Sequence, residues 1–125
     1  MTDSGMMHIG ELAERTELSL RTIRHYDEIG LLKPSGRSDG GFRLYTDADL
    51  ERLFIIRRMK PLGFSLEEMA ELLRIIDIRH TGDAEARRVV DADYERYVTE
   101  AEERRSQLQR QLDMADEFLA RLRSA

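Results

Sequence analysis

The last 43 residues of the chain contain neither glycine nor proline, the two residue types that most readily end a helix. All eight glycines lie at or before Gly82, and both prolines, Pro34 and Pro61, lie earlier still. The chain therefore reads as a turn-rich segment (residues 1–76), a linker (77–83) and one unbroken helix (84–125). Within that helix, positions stepping alternately by four and three carry Tyr94, Val98, Ala101, Arg105, Leu108, Leu112, Ala115, Leu119 and Leu122, eight of the nine apolar. This is the repeat of a coiled coil. At about 1.5 Å per residue such a helix is roughly 60 Å long. So small a chain has nothing to cover the far end, so the pattern predicts pairing with a second copy. Antiparallel pairing is expected, because a parallel pair would gather both turn-rich segments at one end and leave the helices idle beyond them.

The turn-rich segment opens with Ile9, Leu12 and Ala13 at helical spacing. After a break at Thr16-Glu17-Leu18, Ser19 is a suitable N-cap for a second helix carrying Leu20, Ile23 and Tyr26 on one side. Gly30 suits its C-terminal turn, and Pro34 lies shortly beyond. Two short helices joined by about three residues form a helix-turn-helix. Asp39-Gly40-Gly41, between residues 36–38 and 42–45, predicts a two-stranded hairpin that must lean on the helices as a wing. Thr46 caps a third helix over 47–60, with Leu50, Leu53, Phe54, Ile56 and Met59 on its apolar side and Pro61 and Gly63 at its end. Ser65 and Glu68 form a capping box for a fourth helix over 65–76, with Leu66, Met69, Leu72, Leu73 and Ile76 as its stripe.

The net charge is -5, which argues against a polyanionic partner until its distribution is examined. Residues 21–60 hold nine Lys/Arg against six Asp/Glu, so the acidity lies elsewhere. The second helix presents Ser19, Arg21, Thr22, Arg24 and His25 away from its apolar side, with Arg21, Arg24 and His25 on one face. An α-helix fits the major groove of B-DNA, and arginine can bind guanine through two hydrogen bonds. On the wing, Arg37, Arg43 and Tyr45 are donors suited to phosphate or the minor groove. A competing reading pairs Arg21 and Arg24 with Asp27, Glu28 or Glu17 as a solvated ionic surface.

The stretches Ile9-Gly10-Glu11-Leu12-Ala13, Leu20-Arg21-Thr22-Ile23-Arg24-His25-Tyr26-Asp27-Glu28-Ile29-Gly30-Leu31-Leu32-Lys33-Pro34, Gly41-Phe42-Arg43-Leu44-Tyr45 and Leu62-Gly63-Phe64-Ser65-Leu66-Glu67-Glu68 resemble the MerR family of bacterial transcription regulators, in order and spacing, over residues 8–76. The resemblance implies a winged helix-turn-helix whose third and fourth helices act as a second wing, with the last helix joining two subunits antiparallel. It implies a homodimer on a pseudo-palindromic operator in double-stranded promoter DNA, distorting an overlong spacer so that RNA polymerase engages both promoter elements. By the same resemblance Arg21, Arg24 and Tyr26 are recognition-helix contacts, Arg37, Arg43 and Tyr45 wing contacts, and Arg57 lies where the second wing nears the backbone. The chain departs from the family pattern at His25, where an aromatic is usual, at Phe42, where tyrosine is commoner, and at Pro61, in place of a helix former.

The expected fold is therefore mainly α: a winged helix-turn-helix DNA-binding domain followed by a long dimerisation helix in an antiparallel coiled coil. The dimer residues are Tyr94, Val98, Ala101, Leu108, Leu112, Ala115, Leu119 and Leu122. A rival reading is an architectural or protein-interaction module that bends DNA without promoter control. His8, His25 and His80 lie in different elements and the chain has no cysteine, so no metal site and no thiol chemistry are expected. The carboxylates form no pair with a nucleophile, so neither enzyme activity nor a cofactor is expected. Tyr94, Tyr97, Met114 and Phe118 are read as seam and flanking residues rather than a ligand pocket, and the end at Ala125 leaves no room for a ligand domain. Residues 1–5 lack the pattern of a secretory signal and no apolar run is long enough to span a membrane, so a cytoplasmic location is expected.

Overall fold

The computed structural model describes residues 5–125, so the reading of the N-terminal residues 1–4 lies outside it. The chain divides into two compact units, one ending at Leu73 and the other beginning at Arg74. In order, the elements are β1 (Met7–His8), α1 (Ile9–Thr16), α2 (Leu20–Glu28), β2 (Gly36–Arg37), β3 (Arg43–Tyr45), α3 (Asp47–Met59), a 3-10 turn (Lys60–Leu62), α4 (Leu66–Thr81) and α5 (Ala84–Ser124).

Local chemistry sets the helix ends of the first unit. The Ser19 hydroxyl accepts the Thr22 amide at 3.0 Å, capping α2. At its other end the Gly30 amide donates to the Asp27 carbonyl and the Leu31 amide to the Tyr26 carbonyl. This paired closure needs a left-handed residue, and Gly30 supplies it at φ 77°. The Thr46 hydroxyl accepts the Asp49 amide at 3.2 Å while the Asp49 carboxylate accepts the Thr46 amide at 2.9 Å. Ser65 and Glu68 repeat this exchange at the start of α4, at 3.1 and 2.8 Å. As the sequence pattern predicts, α3 stops before Pro61, which lies within the 3-10 turn that Gly63 closes at φ 87°. Glu17, which ends α1, is the one described non-glycine residue with positive φ, at 59°.

The wing differs from expectation in having a third strand. Its sheet is antiparallel in the order β1-β3-β2, with Met7 opposite Tyr45 and Gly36 opposite Leu44. A two-residue strand is too short to show alternation in sequence. Only its neighbour β3 gives it a hydrogen-bonding edge. The hairpin turn is held by the Gly41 amide on the Ser38 carbonyl at 2.8 Å, with Gly41 rather than Gly40 taking positive φ. Leu12, Ile23, Leu44, Leu53, Ile56 and Met69 form the buried core of this unit. Leu20 and Leu66, expected in the core, are exposed, since each is the first residue of its helix and lies past the edge of the packed face.

Two boundaries move. The fourth helix runs on to Thr81, five residues beyond the expected end, so the stretch read as a linker is helical except at Gly82 and Asp83. Ile75, not assigned to the apolar stripe, is fully buried, while Leu66 is exposed and Leu72 and Ile76 are only half-buried. Gly82 makes the reversal possible: a Cβ there would lie 2.6 Å from the Ile78 carbonyl oxygen. Asp83 then caps α5 by accepting the Ala86 amide at 2.8 Å.

In the second unit the end of α4 and the start of α5 are joined by Arg79. Its guanidinium donates to Asp91 at 2.6 Å and lies 3.8 Å from the centroid of the Tyr94 ring. Tyr94, assigned to the dimer seam, is therefore half-buried within its own chain, whereas Tyr97, read as a flanking residue, is buried. Val90 is buried as well, and Ala101 half-buried. From residue 105 onward every side chain of α5 is exposed, including Leu108, Leu112, Met114, Phe118, Leu119 and Leu122. No helix among the described residues is long and apolar enough to cross a membrane.

Candidate nucleic-acid interface

Helix α2 divides its residues between a buried and an open side. Ile23, Tyr26 and Asp27 are buried, while Arg21, Arg24 and His25 face outward. Arg21 and Arg24 make no hydrogen bond or ion pair with any described residue, so the competing assignment to Asp27, Glu28 or Glu17 is not the arrangement adopted. Glu17 takes Arg57 instead, at 3.2 Å, and Glu28 lies 4.0 Å from His25. Asp27 is occupied by the wing. Two guanidinium groups one helical turn apart, neither bonded to a described residue, are donors available to base edges or phosphates.

Ser19 and Thr22 stand at the start of the same face, joined hydroxyl to hydroxyl at 2.8 Å. Their hydroxyls are thus partly committed to starting the helix. Between α2 and the following elements of this unit lies an open cleft of about 360 Å³. Arg21, His25 and Lys60 stand on its rim, with Tyr26, Phe64 and Met69 also lining it.

The wing is positioned by ionic contacts back to α2. Arg43 Nε donates to Asp27 Oδ2 at 2.8 Å, and Arg37 Nη2 lies 3.8 Å from the same oxygen. Lys33 Nζ lies 3.9 Å from the other carboxylate oxygen. The Arg43 guanidinium is held above its ordinary pKa, chiefly by the hydrogen bond that it donates to Asp27. Arg37 also donates to the Gly41 carbonyl at 3.1 Å, across the turn. Phe42 at the wing tip is the most exposed aromatic among the described residues of this unit.

Two tyrosines proposed as contacts are placed differently from expectation. Tyr45 is 0% exposed, so it has no surface with which to touch another molecule and acts beneath the wing. Tyr26 is buried apart from its edge on the cleft. Burial pushes both phenols up from their usual pKa. Tyr26 lies on the packed side of α2, whereas in Arg43-Leu44-Tyr45 strand alternation is interrupted, Leu44 and Tyr45 both being buried where β3 is the central strand. The Tyr45 hydroxyl finds no hydrogen-bond partner among the described residues. Sequence reasoning named Asp27 only as an alternative partner for Arg21 and Arg24, because its actual partners lie up to sixteen positions away. The signal available was an acidic residue on the buried side of a basic helix.

No group of three or more His, Asp or Glu side chains that could hold a metal ion occurs among the described residues. The eight residues proposed for the dimer seam fall into two groups: Tyr94 and Ala101 are half-buried, while Val98, Leu108, Leu112, Ala115, Leu119 and Leu122 are exposed.

Comparison with known proteins places this geometry in context. The HTH-type transcriptional regulator ZntR of Escherichia coli K12 is 46% identical over 86 residues, 68% of this chain, and the chain spans 61% of that relative's length. CueR of Salmonella typhimurium is 37% identical over 105 residues, covering 82% of this chain and 76% of the relative. Among solved structures, HiNmlR, a MerR family regulator lacking the sensor domain and bound to promoter DNA, superposes with a TM-score of 0.69 at 27% identity, covering 92% of this chain and 88% of that one. The MerR DNA-binding model matches residues 50–125, and the model of MerR HTH family regulatory proteins matches residues 7–75. The chain belongs to the MerR family of helix-turn-helix regulators.

Proposed function

We propose that this chain is a transcription regulator that binds a pseudo-palindromic operator in double-stranded promoter DNA as a homodimer. By distorting the promoter spacer it alters how RNA polymerase engages the two promoter elements. The observation that carries the reading is the pair of outward, unpartnered arginines, Arg21 and Arg24, on a capped helix beside a wing. A symmetric dimer brings two such helices to successive grooves on one face of the duplex. The exposed stripe of α5 from Leu108 to Leu122 supports the pairing, since a contiguous apolar face of that length on a monomer is unfavourable in water. Ser19, Thr22 and His25 flank the reading face, and Arg37, Arg43 and Arg57 are its backbone-facing cations. Tyr26 and Tyr45 contribute from beneath. A location in the cytoplasm follows from this role.

The test is selection from a random-sequence duplex pool followed by footprinting. An enriched inverted repeat, with Arg21→Ala or Arg24→Ala costing about 1–3 kcal/mol on it and little on random DNA, is the expected result. Enrichment of no sequence would overturn the regulator reading, and equal losses on both DNAs would move the arginines from base reading to backbone contact.

A further inference from the structure

Asp27 is a buried carboxylate on the recognition helix, and the three cations around it come from three other parts of the chain. Arg43 belongs to β3, Arg37 to β2 and Lys33 to the segment between α2 and the sheet. Their nitrogens lie 2.8, 3.8 and 3.9 Å from the Asp27 oxygens, with Arg43 and Arg37 sharing Oδ2 and Lys33 on Oδ1. The carboxylate is only 11% exposed, while the Lys33 and Arg37 side chains are 70% and 52% exposed. One buried negative charge thus faces three cations whose outer parts reach solvent. The hydrogen bond to Arg43 uses Nε, which leaves the two terminal nitrogens of that guanidinium without a partner among the described residues.

We infer that Asp27 is a positioning residue for DNA selectivity: it locks the wing cations to the recognition helix, so that wing and helix meet the duplex in one register. This rests on the DNA-binding reading above. Two consequences follow from the charges. First, the wing cannot swing to the nearest phosphate independently of α2, so contacts made by Arg43 add to binding only where the recognition helix is also seated. Second, the carboxylate offsets part of the cationic charge that random DNA would otherwise meet. Removing it must therefore affect specific and random binding in opposite senses, which a general loss of structure does not do.

The experiment compares wild type and Asp27→Asn on two probes: the duplex that the wild-type protein enriches from a random-sequence pool, and poly(dI-dC). Asparagine keeps the shape and removes the charge. The expected result is a fall of about tenfold in the ratio of the two affinities. With it, the salt dependence on poly(dI-dC) should steepen by about one unit, as one more cation becomes free to displace counterions. An unchanged ratio and slope would overturn the inference, and so would equal losses on both probes with an unchanged melting curve. Should Asp27→Asn melt below the assay temperature, Arg43→Lys decides: it keeps the positive charge but not the Nε geometry. A lower ratio supports the lock, and an unchanged ratio overturns it. If the wild type enriches no sequence, the regulator reading fails rather than the lock, and the poly(dI-dC) slope still tests the charge offset.

Discussion

Leu53 in α3 and Leu108 in α5 sit in the same kind of apolar pattern, apolar residues recurring three and four residues apart. Leu53 is 0% exposed and Leu108 is 48% exposed. The first unit covers its own apolar faces: α1, α2, α3, the small sheet and the start of α4 supply one another with partners. The distal half of α5 does not, since its stripe continues for five turns past the last covered residue. Helical periodicity reports that a face is built for burial, not which molecule buries it. In the first unit the covering surface is encoded within the same 73 residues. On the distal helix no described residue supplies it.

The largest effect is expected from charging the open stripe. Leu108→Asp with Leu112→Asp places four carboxylates in one dimer seam, and each unpaired buried ion costs several kcal/mol. Sedimentation should show monomers, operator binding should be lost, and the far-UV signal of the first unit should persist. A double variant that still sediments as a dimer would remove the seam from the model of assembly.

Leu53→Ala addresses the other side. Truncating a fully buried leucine costs about 2–5 kcal/mol. The melting temperature of the first unit should fall by the same amount at every protein concentration. Leu108→Ala, in contrast, should lower a transition that depends on concentration, because dimer stability is set by mass action. Concentration dependence in the Leu53→Ala effect would show that the first unit is not closed by its own chain.

At the turn between α4 and α5, Gly82→Ala would place a methyl group against the Ile78 carbonyl, 2.6 Å away. The backbone must shift, at a cost of about 1–3 kcal/mol by analogy with overpacked cores. Thermal melting should register that loss, and an unchanged midpoint would mean that the turn relaxes freely.

The smallest effect is expected at Tyr45. Its buried hydroxyl has no described partner, so Tyr45→Phe should stabilise the first unit by about 1 kcal/mol. Alkaline titration sharpens the point. Burial raises the phenol pKa in the folded chain, so stability is fully present below the unfolded value, near pH 10, and declines as the pH rises through it toward the folded value. Tyr45→Phe should make that decline shallower. A destabilised variant would reveal a partner for the hydroxyl.

Much of the fold was legible because its signals are local. Ser19, Thr46 and Ser65 cap helices where the pattern places them, Gly30 closes α2, and Pro61 stops α3. The exposed face of α2 follows from the same periodicity that buries Ile23. Less of the site was legible. Strand β1 is two residues long, the end of α4 carries no stop signal before Gly82, and Tyr45 looks like a surface donor until β3 becomes the middle strand.

By itself, the amino-acid order determined the helix ends, the turn positions, the basic face of α2 and the unbroken length of α5. Each depends on backbone groups within four residues of one another, or on a repeat within one helix. Tertiary structure alone decided which cations remain free. Arg43 is bound to Asp27 across sixteen positions and Arg57 to Glu17 across forty, while Arg21 and Arg24 are left open. The physical reason is that a carboxylate selects its partner by distance through space, and the folding of the wing and of α3 against the first two helices sets those distances.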